Sequence, residues 1–139
     1  MSTGPGTVPA MLQRRDPLAL VVGSFVTIAG VMHFVNPSFF DAIVPPALPP
    51  NARFWTYVSG VAELVIGPMV LIPRTRRVGA LAAIGLFVAV YPANLYMAWD
   101  WRDRPANEQA VAYLRLPFQF LFIYWAWRIA QRSRSAAPA

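Results

Sequence analysis

The 139-residue chain contains no cysteine, no lysine and a single histidine. Without thiols it can run neither disulfide exchange nor thiolate catalysis. One His with no Cys makes neither a bis-His haem nor a typical zinc site, so no metal residues and no catalytic residues are assigned. Charge is scarce too: only 13% of residues are charged, against about a quarter in an ordinary soluble domain. Six acidic residues leave a net charge of +6, and all twelve cations are Arg. These Arg residues lie beside apolar segments and form no basic stripe with interleaved aromatics, which excludes a nucleic-acid surface.

What is abundant is apolar: 57% of the chain is hydrophobic and 14% aromatic. Four membrane-crossing helices of about 20 residues each absorb nearly all of that material. The runs fall at about 17–36, 53–72, 78–99 and 110–130. The sequence therefore predicts an all-α fold, a four-transmembrane-helix bundle forming one membrane domain over 17–131. Residues 1–16, rich in Gly and Pro, read as a disordered cytoplasmic tail, and 132–139 as a second cytoplasmic tail. The first run is too long for a signal-peptide core and has no small-residue cleavage site after it. Asp16 and Pro17 fit a twin-Arg export signal poorly.

Arg14, Arg15, Arg74, Arg76, Arg77, Arg128, Arg132 and Arg134 fall on one side, against Arg53, Arg102 and Arg104 on the other. An excess of cations marks the cytoplasmic face, so both termini are expected there. Trp55, Tyr57, Tyr96, Trp99 and Trp101 would form an outer aromatic belt, and Trp125 and Trp127 an inner one. The expected location is a bacterial cytoplasmic membrane, crossed several times, and an Arg-only composition rich in Ala, Val and Pro agrees with a GC-rich bacterial genome.

Between the first two spans, Asn36 and Pro37 have the residue types of an N-cap and a first helical position, opening a short interfacial helix through Val44. Phe39 with Ile43 and Phe40 with Val44 are spaced four apart, which gives it an apolar side. Two readings stand: a lid made of Phe39, Phe40, Ile43 and Val44 over the outer mouth, or a hydrophobic cap closing a gap between helices. Pro45, Pro46, Pro49 and Pro50 then force an extended return.

Polar groups inside a span are costly and face the interior, which singles out His33, Glu63, Asn94, Arg115 and Gln119 as pocket candidates. Glu63 lies roughly 16 Å down the second span, and Arg115 and Gln119 roughly 8 and 14 Å down the fourth. All five fall in the outer half. Gly60, Glu63 and Gly67 share one helix side, as do Gly23, Thr27, Gly30 and His33, and small-residue stripes of this kind pack close to a neighbour. Glu63 and Arg115 are the only opposite charges at depth, which predicts an ion pair with Gln119 as supporting donor. That pair reads either as a site for a polar head group or as a static clamp between helices. Pro68, Pro92 and Pro117 place one Pro inside each of the last three spans. Gly85, Ala89 and Ala93 offer a seam for internal packing or for a homodimer.

The pattern Gly30-x-x-His33-Phe34-x-x-Pro37-x-x-Phe40-x-x-Ile43-Val44-Pro45-Pro46-x-Leu48-Pro49 resembles the first half of the DoxX-like family of small bacterial membrane proteins. Ser59-Gly60-x-x-Glu63-x-x-x-Gly67, Pro73-x-Thr75-Arg76-Arg77, Pro92-x-Asn94-x-x-Met97 and Arg115-x-Pro117-x-Gln119 extend the likeness over roughly residues 20–130. The resemblance implies a four-helix membrane bundle and, since some members are subunits of quinone-linked oxidoreductases, a membrane or peripheral redox partner. The expected function is a noncatalytic accessory subunit or scaffold of a membrane redox or stress-response assembly. The alternative is a module that binds or transports a quinone, lipid head group or solute. No cofactor is assigned on either reading.

Overall fold

A computed structural model describes residues 15–135, and every one of its regular elements is a helix. The tail expected over 1–16 falls almost wholly outside these residues, as does 136–139. Helix α1 spans Pro17–Val35, α2 Pro37–Asp41, α3 Ala52–Leu71, α4 Arg76–Asp100 and α5 Ala106–Ser135.

The helix ends follow from local chemistry. Asp16 caps α1, its carboxylate accepting from Leu18 N at 3.0 Å and Ala19 N at 3.4 Å, with Pro17 at the first helical position. Asn51 caps α3 by accepting from Phe54 N at 2.9 Å. That helix stops where Ile72, the residue before Pro73, turns extended. Its last carbonyls are met by Arg76, which is buried and donates from Nε to Val70 O at 3.0 Å and from a terminal nitrogen to Leu71 O at 2.9 Å. Arg76 thus does more than count toward an orienting charge: it closes the α3–α4 corner.

Three helices, α1, α3 and α4, are long and apolar enough to cross a membrane, where four spans were expected. The exception is α5. It is the longest, at 30 residues, but Asn107, Glu108, Gln109, Arg115 and Gln119 dilute its apolar character. It also runs on through Ser135, so residues expected in the C-terminal tail from 132 are helical. The short helix α2 ends at Asp41 instead of continuing to Val44. Successive turns carry the chain from there into Pro45 and Pro46, whose rings and missing N–H groups forbid a further helical turn. Asn36 precedes α2 without a side-chain capping bond.

The long helices pack chiefly as two pairs, α1 with α3 and α4 with α5, with α3 against α4 joining them and α2 lying on α3. The first pair is close because glycine lets it be. A methyl group at Gly30 would come within 2.9 Å of Leu64 N, and one at Gly60 within 2.8 Å of His33 Cβ. At one end, Val22, Val26, Val70, Ala80 and Ile129 form a core; at the other, Ile43, Met97, Trp101 and Ala112 form a smaller one beneath α2. Trp101, expected in the outer belt, is instead buried, its ring edge-on to Phe39 at 6.3 Å. Large apolar side chains such as Ile28, Val35, Val61, Val78 and Trp99 remain more than half exposed on the outer faces. A water-exposed surface rarely carries so many.

Candidate functional site

Two cores at opposite ends leave a gap between them, and that gap is the site. Small and β-branched side chains fill the inner core, and Pro92 and Pro117 interrupt the facing helices α4 and α5. The result is a cavity of about 180 Å³. His33 from α1, Glu63 from α3, Asn94 from α4 and Arg115 and Gln119 from α5 all line it. Five polar residues from four helices therefore meet in one place, beneath the α2 segment.

Their pairing differs from expectation. Glu63 does not form an ion pair with Arg115; its Oε2 lies 3.0 Å from His33 Nδ1. The cause is the helix pairing described above: the glycine-lined face of α3 that carries Glu63 is pressed against α1, whereas α5 packs chiefly on α4. His33 Nδ1 has a second acceptor within reach, Ala29 O at 2.7 Å. At most one proton at Nδ1 faces these two acceptors, and the buried Glu63 Oε2 receives no aligned hydrogen bond among the described residues.

Gln119 supports neither charge. It accepts from Asn94 Nδ2 and donates to Phe87 O, so these two amides join α4 to α5 on either side of Pro92. Half-buried Arg115 makes no hydrogen bond or ion pair with any described residue; it feels Glu63 only through space. A guanidinium carries five donors in a rigid fork and cannot shed its charge.

The segment after α1 covers one side of the cavity. Phe40 stacks on the His33 ring with centroids 3.7 Å apart and planes inclined by 22°, and Ile43 and Val44 join it in the lining. Phe39, the fourth expected lid residue, turns away toward Trp101 and a neighbouring surface groove. The segment is held by a polar latch that apolar periodicity concealed. Asp41 accepts from Arg53 Nε at 2.9 Å and from Thr56 Oγ1 at 2.7 Å. The Arg53 hydrogen bond, with help from Thr56, holds the Asp41 carboxyl below its ordinary range despite some desolvation. The sequence signal was available: an acid ending one short apolar helix and a base opening the next.

The arrangement offers a cation, a carboxylate and aromatic walls formed by Phe25, Phe87, Phe118 and Phe122. Among the described residues no three His, Asp or Glu side chains converge as metal donors.

Residues 22–130 match the family described as Domain of unknown function (DUF8561), and the chain belongs to that family. No curated protein and no solved structure matches.

Proposed function

We infer that this member of the family is a multi-pass protein of a bacterial cytoplasmic membrane that binds a small molecule in the outer half of a four-helix bundle. On this reading α5 also crosses, its Arg115 and Gln119 turned to the cavity and so spared contact with lipid. The Arg distribution supports cytoplasmic termini, and the lipid bilayer is the first partner. The observation that carries the reading is Arg115: a cation that makes no hydrogen bond or ion pair among the described residues, on the wall of a cavity shared with Glu63 and His33. Buried charges are retained where something pairs with them.

Native mass spectrometry of the chain released from its membrane into mild detergent tests this. A small-molecule adduct is expected, and Ala93→Phe, which fills the cavity, removes it while circular dichroism stays unchanged. Wild-type protein that never carries an adduct would refute the reading. Resemblance to DoxX-like proteins supports a second one, an accessory subunit or scaffold of a membrane redox or stress-response assembly, and a second polypeptide at fixed stoichiometry in the same spectra is what it requires.

A further inference from the structure

Two groups at the cavity have opposite, unmet demands. Among the described residues Arg115 makes no hydrogen bond or ion pair, while Glu63 Oε2 lies 3.0 Å from His33 Nδ1 and receives no aligned hydrogen bond. They are not in ion-pair contact, so neither satisfies the other. Of the other polar side chains on the wall, Asn94 and Gln119 are committed to each other and to Phe87 O, Thr56 to Asp41, and His33 Nδ1 lies against Ala29 O, while the Ser59 hydroxyl adds one more polar group to the lining. An inorganic anion with no hydrogen to give would meet one demand and leave the other, and a small hydroxylated one such as bicarbonate would leave the aromatic walls uncovered.

We propose that the cavity takes a compact bifunctional organic acid, with an anionic oxygen group on Arg115, a hydroxyl or amine hydrogen given to Glu63, and a ring-sized apolar body between the phenylalanines. This names the ligand class for the binding pocket inferred above and rests on that reading. Size sets the body: an apolar cavity of about 150 Å³ holds benzene, and this one measures about 180 Å³. Charge sets the acid group. A monoanion such as a carboxylate neutralises Arg115, whereas a dianionic phosphate would leave excess negative charge beside Glu63 in a low-dielectric interior, where repulsion is strong. A carboxylate also matches the planar guanidinium fork with two parallel hydrogen bonds.

The test is isothermal titration calorimetry on the full chain in phosphatidylcholine nanodiscs, with the three hydroxybenzoate isomers, benzoate and phenol as probes. At least one hydroxybenzoate should bind about tenfold or more tighter than benzoate, which lacks the donor, and than phenol, which lacks the anion. Arg115→Gln should erase the advantage over phenol and keep that over benzoate; Glu63→Met, which removes the acceptor, should do the reverse. Should either variant fail to fold, the ranking on wild-type protein decides alone. Equal affinities across the probes, or no binding by any of them, overturns the ligand class. If native spectra still show an adduct that Ala93→Phe removes, the pocket reading survives that result; if they show none, both fall.

Discussion

Replacing Gly67 by Ala adds one methyl group where α3 crosses α1, and the structure sets its cost. The new carbon would lie 2.7 Å from Thr27 N and 3.0 Å from Gly23 O, and close to the Thr27 hydroxyl. Carbon prefers about 3.5–4.0 Å to its neighbours. The first two atoms belong to backbone and cannot rotate aside, so the helices must part by roughly an ångström along the seam. Overpacking of this kind costs about 1–3 kcal/mol, while Ala recovers about 1 kcal/mol of helix propensity over Gly. Gly85→Ala isolates that second effect, because a methyl group there meets nothing within 4 Å. The difference between the two variants is then the overpacking alone, about 1–3 kcal/mol. Gly23→Ala should fall between, since its clashes at 2.7 Å are with the Leu71 side chain, which can move, and the nearest backbone atom, Gly67 O, is 3.1 Å away. Reversible unfolding in mixed dodecyl maltoside and SDS micelles, followed by tryptophan fluorescence, measures all three. Gly67→Ala as stable as Gly85→Ala would refute the close α1–α3 crossing and the His33–Glu63 pairing built on it.

Arg76→Met should cost about 1.5–3 kcal/mol in the same titration, because it leaves the Val70 and Leu71 carbonyls without their charged donor. Gln119→Leu leaves Asn94 and Phe87 O unpaired and should cost about 1–3 kcal/mol. The cap has its own pH dependence: a carboxyl whose pKa is lowered by folding adds stability above its ordinary value and loses it as pH falls. Hydrogen-exchange protection across 37–51, taken relative to the intrinsic rate at each pH, should therefore hold at neutral pH and fall below about 3.8, the ordinary value for Asp41, and Asp41→Asn should abolish that dependence.

The three apolar runs of membrane-crossing length were legible, and caps or prolines bound the first two of them: Asp16 and Pro17, Asn51 and Pro73. The polar turns at both ends of α5 were not, since hydropathy sees apolar length and not backbone hydrogen bonding; Arg104 with Glu108, four apart at 3.2 Å, sits where the first of them begins. The membership of the site was legible for a related reason. A polar side chain in an apolar helix must face inward, so His33, Glu63, Asn94, Arg115 and Gln119 all reached the same cavity. Their partners were not legible, because pairing depends on which helices are neighbours and how close they come. Charge alone assigned Glu63 to Arg115; a glycine seam assigned it to His33. Burial of Trp101 was hidden likewise, because it depends on Phe39 and Ile43 folding over it.

A clamp and a binding site place opposite demands on Arg115, and this makes them separable. A clamp holds its charges in contact, so removing one partner strands the other and costs about 3–5 kcal/mol. Here Arg115 has no hydrogen bond or ion pair among the described residues to lose, and until something enters the cavity its desolvation is offset only by the through-space attraction of Glu63. Arg115→Met should then leave the ligand-free protein as stable as wild type or more stable, by up to about 4 kcal/mol, the range seen when buried charge gives way to apolar side chains. The same change should remove the stabilisation that a bound organic acid gives, since a ligand stabilises only in proportion to its affinity for the folded state. Unfolding titrations with and without hydroxybenzoate read both effects. A loss of several kcal/mol in the ligand-free variant would identify Arg115 as a structural clamp and refute its role as the ligand's counter-ion; a gain would show stability given up to keep a cation waiting for its anion.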